Sequence, residues 1–100
     1  MGLPCSPMRV EVHLYFPFRN EVGESPVVLE LPPGADVAQA VQALVKRYPR
    51  LGDRFYDPQG QIQRHISALV NGMSIQFRQG WATKVRDRDV ITLLPPVGGG

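Results

Sequence analysis

Cysteine occurs once, at Cys5, so no internal disulfide can form and the disulfide-stapled class of small secreted domains is excluded. A lone thiol suits a reducing compartment, and the cytoplasm is the expected location. Long hydrophobic runs are missing too. Nothing approaches the roughly 20 apolar residues that span a bilayer, and the first residues lack the charged-then-apolar pattern of a secretory signal. No membrane association through a span is expected. Charge of one sign is also absent: eleven Lys plus Arg stand against nine Asp plus Glu, a formal net charge of +2. The nine arginines are scattered from Arg9 to Arg88, which argues against a nucleic-acid groove.

The residues of common catalytic and metal chemistry are equally sparse. His13 and His65 lie far apart, with no Cys or carboxylate at ligand spacing, so no metal is expected. Cys5 falls in a segment without fold-like patterning, where no scaffold would hold a base beside it. Asp87 and Asp89 read as turn formers and not as a carboxylate pair. Gly98, Gly99 and Gly100 precede no helix and cannot form a phosphate loop. Neither an autonomous enzyme nor a bound cofactor is expected.

What is present is one domain's worth of patterned chain: 100 residues, 43% hydrophobic and 20% charged. Val10, Val12, Leu14 and Phe16 alternate with polar neighbours, the period-2 signature of a half-buried strand that Pro17 stops. A turn-forming segment from Asn20 to Pro26 leads to Val27, Leu29 and Leu31, a second strand placed for a hairpin. Asp36 stands as an N-cap before Val37, Ala40, Val41, Leu44, Val45 and Tyr48, whose three- and four-residue spacing predicts a helix to about Tyr48. Pro49 disfavours continuation, and residues 50–63, which mix Gly, Pro and Asp with Leu51, Phe55, Tyr56 and Ile62, read as a long connection folded over the core, with room for short helical turns. Ile66, Ala68 and Val70 run into Asn71-Gly72, the pair suited to a type I′ turn, with Ser74 to Phe77 as the returning arm. A last β-rich run, Val90 to Leu94, ends at Pro95-Pro96.

This order predicts an α+β domain with one main helix packed on one face of a mixed sheet. With the first and last strands adjacent in the middle, that is a β-grasp, or ubiquitin-like, arrangement, although element order alone does not establish it. The domain is assigned to residues 8–94, after a disordered leader at 1–7 and before a flexible glycine tail at 95–100. Met1, Gly2 and Ser6 match the permissive myristoylation template with Cys5 beside them, but an unpatterned leader is the simpler reading.

The tail is the unusual feature. Pro95-Pro96-Val97 continues the last strand as a stiff path, and Gly98-Gly99-Gly100 lack the Cβ atoms that would obstruct a narrow channel. In this setting the chain resembles the ubiquitin-like sulfur carriers. These include the small subunit of molybdopterin synthase, the thiamine-pathway carrier and the carriers for cysteine synthesis and tRNA thiolation. The resemblance rests on Tyr48-Pro49-Arg50-Leu51, Val70-Asn71-Gly72, Ile75-Gln76-Phe77, the turn through Asp87 and Asp89, and the Pro-Pro-Val ending before the glycines. It implies that an E1-like adenylating enzyme, using ATP, activates the carboxylate of Gly100. A persulfide donor then converts it to a thiocarboxylate that delivers sulfur to an acceptor such as the molybdopterin synthase large subunit. Gly98 and Gly99 would thread the partner's channel, and Leu94 and Val97 would contact the partner. Two positions depart from the pattern: Arg88 stands between the aspartates where the family commonly has Gly, and three glycines end the tail where two usually follow another residue.

The Pro-Pro-Val ending looks most like the molybdopterin synthase subunit, while Arg78 to Thr83 and the long connection look closer to cysteine-synthesis carriers and archaeal-type modifiers. A modifier that acylates lysine is a second class, with Lys46 and Lys84 the only self-acceptors. A plain β-grasp interaction module is a third.

Overall fold

The alternation that begins at Met8 becomes a strand whose odd residues face water while Met8, Val10, Val12 and Leu14 are buried. In the computed structural model, which describes residues 7–15, 18–23, 25–63 and 66–94, this strand, β1 (Met8–Leu14), lies inside a five-stranded sheet. A one-turn helix, α1 (Phe18–Val22), follows. The second strand, β2 (Val27–Leu31), pairs antiparallel with β1. The main helix, α2 (Val37–Arg47), comes next, then a 3-10 turn at Pro49–Leu51 and the short α3 (Gly52–Phe55). Strands β3 (Ser67–Val70) and β4 (Met73–Ser74) form a hairpin. Two 3-10 turns, Ile75–Phe77 and Gly80–Ala82, lead to β5 (Val90–Leu94). The strand order is β2-β1-β5-β3-β4, with β1 and β5 parallel at the centre, and this is the expected β-grasp arrangement.

Helix α2 begins where a capping box satisfies two orphan backbone donors. The Asp36 carboxylate accepts from the Gln39 N–H at 2.9 Å, and the Gln39 side-chain oxygen accepts from the Asp36 N–H at 3.1 Å. Val37, Ala40, Val41 and Leu44 are its buried face. They join Val10, Val12, Leu14, Leu29, Ile91 and Leu93 in one hydrophobic core, against which Val45 and Tyr48 of the expected helix face are only partly buried, while Phe16 lies outside the described residues.

Two expectations are corrected. The segment read as turn-forming from Asn20 contains the end of α1, because Phe18 is buried and stacks on Phe55 with ring centroids 4.6 Å apart. Packing holds a turn that propensity does not announce. The returning arm of the second hairpin stops at Ser74, where the Ser74 hydroxyl accepts from the Gln76 N–H at 3.2 Å and bends Ile75–Phe77 into a 3-10 turn. The long connection folds over the core as expected, with Leu51 and Phe55 fully buried.

Candidate functional site

Strand parity places the residues nearest the tail. Ile91 and Leu93 are buried, whereas Val90, Thr92 and Leu94 are half-buried on the opposite face, as the alternation predicts. Leu94 stands opposite Ser67, Thr92 lies between His13 and Leu69, and Val90 sits beside Glu11, which faces Val28 across the next ladder. Val28 and Tyr15 are about half exposed, at 48% and 53%. This face therefore mixes aliphatic and aromatic surface with a few polar groups, around the strand that leads to the tail. β5 is hydrogen-bonded on both sides, to β1 and to β3, so the root of the tail is held from two directions.

The start of β5 is fixed by Asp89. Its carboxylate accepts from the Arg86 N–H at 2.8 Å and from the Asn71 side-chain amide at 3.0 Å, while its carbonyl accepts from the Glu11 N–H at 3.0 Å. Asn71 returns a pair of bonds to Val90: its side-chain oxygen accepts from the Val90 N–H at 2.9 Å, and its own N–H donates to the Val90 carbonyl at 2.8 Å. Asp87 accepts from the Arg9 N–H at 2.8 Å. Both aspartates act as turn formers, tying three strands together at the end opposite the tail. Asn71 and Gly72 have φ of 51° and 86°, as a type I′ turn requires. Arg88 has φ of 71°, the left-handed conformation that glycine adopts without strain.

Of the residues picked out from sequence, Leu94 is at the tail root on the half-exposed face. Val97, Gly98, Gly99, Gly100, Cys5 and His65 lie outside the described residues. His13 is on the same outer face as Leu94, with Nε2 at 3.4 Å from Glu11 Oε1. Among the described residues no three His, Cys, Asp or Glu side chains converge to hold a metal, and no helix is long and apolar enough to cross a membrane. Sequence reading missed Phe77 and Met73, which are 83% and 52% exposed. Met73, Ile75 and Phe77 would share one face of a regular strand, and nothing in the pattern separates buried Ile75 from exposed Phe77 until the Ser74 turn is seen.

The ThiS family model matches residues 12–100. The chain belongs to the ThiS family. Within it, the chain is 29% identical over 93 residues to small archaeal modifier protein 3 of Haloferax volcanii, covering 93% of this chain and 100% of that protein. It is 32% identical over 69 residues to the sulfur carrier protein CysO of Mycobacterium tuberculosis, covering 67% of this chain and 74% of that one. The crystal structure of H. volcanii small archaeal modifier protein 1 superposes with a TM-score of 0.83 at 27% identity, over 90% of this chain and 99% of that one. As a ThiS-family protein the chain is a ubiquitin-like domain of the carrier and modifier type, and its relatives are small proteins of that type.

Proposed function

We propose that this ThiS-family chain is a cytoplasmic sulfur carrier whose Gly100 carboxylate is converted to a thiocarboxylate by partner enzymes, the carrier itself supplying no active site. The observation that carries this reading is the placement of β5. The central, doubly paired strand presents Leu94 on a half-exposed face and leads in sequence directly into Pro95-Pro96-Val97-Gly98-Gly99-Gly100. A partner that grips the face is thereby given a chain end at a fixed starting point.

The chemistry runs in balanced steps. A carboxylate oxygen attacks the α-phosphorus of ATP and pyrophosphate leaves, giving an acyl adenylate held by the E1-like enzyme. The terminal sulfur of a persulfide attacks the carbonyl carbon and AMP leaves. A second thiol on the donor side then takes the S–S bond as a disulfide, and the thiocarboxylate remains on Gly100. Activation is needed because a free carboxylate is a poor acyl donor. Gly98 and Gly99 pass through the enzyme's channel, and Leu94 with Val97 contacts its rim. The Pro-Pro-Val ending makes the large subunit of molybdopterin synthase the first acceptor to test. The names of the relatives keep a cysteine-forming acceptor beside it.

The test is mass spectrometry of the chain after incubation with its adenylating enzyme, ATP and a persulfide donor. One oxygen-to-sulfur exchange located on Gly100 supports the proposal, and an unmodified terminus in a reaction that consumes ATP overturns it. Leu94→Asp is expected to weaken binding to the adenylating enzyme without loss of fold, and unchanged affinity in a titration would remove Leu94 from the interface. A second reading, protein modification, is supported by the relationship to small archaeal modifier protein 3. It predicts that the activated Gly100 appears as an amide on lysines of other proteins.

A further inference from the structure

Among the described residues the most exposed large hydrophobic side chain is Phe77, at 83%, with Met73 at 52% on the adjoining edge strand. β4 runs antiparallel to β3, and β3 antiparallel to β5, so the chain leaving Ser74 travels toward the end of the sheet from which the tail departs. Ser74 is level with Leu69, and Ser67 is level with Leu94. The exposed ring thus follows the edge strand, with β3 between β4 and the central strand that carries the root of the tail.

Phe77 is held out on a well-tied segment. The Arg78 N–H donates to the Ile75 carbonyl at 3.0 Å, and Ile75 is buried. Beyond it, buried Thr83 closes the loop: its hydroxyl accepts from the Gln79 N–H at 3.1 Å and donates to the Gly80 carbonyl at 2.7 Å. Exposing a large ring on a frayed loop would be unremarkable; exposing it on a hydrogen-bonded scaffold leaves little conformational entropy to lose on binding. Beside the ring, Phe77, Arg78, Gln79, Thr83 and Lys84 line a cavity of about 390 Å³. Its charged lining is all positive. Among the described residues the Arg78 guanidinium makes no hydrogen bond or ion pair, and the Lys84 ammonium has one partner, the Gly34 carbonyl at 3.0 Å. Aromatic and arginine side chains together are the composition of interface hot spots.

We infer that the Phe77–Arg78 edge is a docking surface for the adenylating enzyme, engaged by a segment that pairs an acidic side chain with an apolar one. The apolar group covers Phe77 and Met73, and the carboxylate answers Arg78 and Lys84. This rests on the carrier reading above and adds a second grip remote from the reacting atoms, so its signature is in carrier binding and not in the chemical step. The experiment is ATP–pyrophosphate exchange by the adenylating enzyme at varied carrier concentration. Phe77→Ala and Arg78→Glu should each raise the carrier's KM about tenfold or more while leaving kcat within about twofold. Raising salt should increase the wild-type KM more steeply than that of Arg78→Glu. Thermal unfolding of both variants should match the wild type, because the altered side chains are exposed. Wild-type exchange with unchanged KM in both variants, or a fall in kcat alone, overturns the docking surface and leaves the carrier reading standing. No exchange with the wild-type chain removes the carrier reading and this inference with it.

Discussion

At the scale of single residues, two positions carry strain that the surrounding structure tolerates. Arg88 occupies the left-handed region at φ 71°, which costs an L-residue roughly 1–2 kcal/mol. Its N–H to the Arg9 carbonyl, at 2.6 Å, needs only backbone, and the exposed contact with Asp87 at 3.9 Å contributes little. Arg88→Gly should therefore stabilise the chain by roughly 0.5–1 kcal/mol after the extra unfolded-state freedom of glycine is subtracted, measured by urea unfolding. The departure from the family pattern at this turn was visible in sequence, and its backbone cost was not. Tyr56 is the other case. Its hydroxyl is buried without a hydrogen-bond partner among the described residues, and burial raises the phenol above its ordinary value. The folded chain then keeps this proton at pH values where the unfolded chain has lost it. Stability from the group is whole below about pH 10 and declines as pH climbs through the folded value. Tyr56→Phe should flatten that alkaline decline and, by removing an orphan hydroxyl, raise stability at neutral pH by about 1 kcal/mol. Unfolding curves at neutral and alkaline pH check both effects.

At the scale of elements, helix α2 depends on its cap and its buried stripe. Asp36→Ala should cost about 1 kcal/mol by freeing the Gln39 N–H, as read by chemical unfolding. Leu44→Ala and Leu93→Ala each delete a side chain exposed by no more than 1% and should cost roughly 2–5 kcal/mol in the same measurement. These elements were legible because one physical fact, burial of one face, repeats at a fixed period along Val10, Val12 and Leu14 or Val37, Ala40, Val41 and Leu44. Where burial is decided by a distant partner the sequence is silent. Phe18 forms a helical turn because Phe55 receives its ring, and Ser74 ends a strand because its hydroxyl captures the Gln76 N–H. The candidate site divides in the same way. The half-exposed side of Leu94 follows from alternation, whereas the exposure of Phe77 depends on a turn that no periodicity encodes.

At the scale of the whole molecule, the core runs from Met8 to Leu93, so the fold and the proposed chemistry occupy separate stretches of chain. Deleting Gly99 and Gly100 should leave the thermal midpoint unchanged and abolish sulfur loading, the two read by calorimetry and by mass spectrometry. The strand order that makes this separation useful was not contained in the order of elements, since many sheets accommodate the same succession. It is settled by long-range pairing, Val12 beside Ile91 and Leu14 beside Leu93. That pairing also sets how the protein responds to being pulled. Because β1 and β5 run side by side in the same direction, the beginning of one and the end of the other lie at opposite ends of the sheet. A tug on the tail against the start of the chain drags the two strands lengthwise past each other, so their cross-links must yield together and not one after another. Release from a tight-fitting partner, or the grip of a machine that unravels proteins from an end, therefore meets the fold in its most resistant direction.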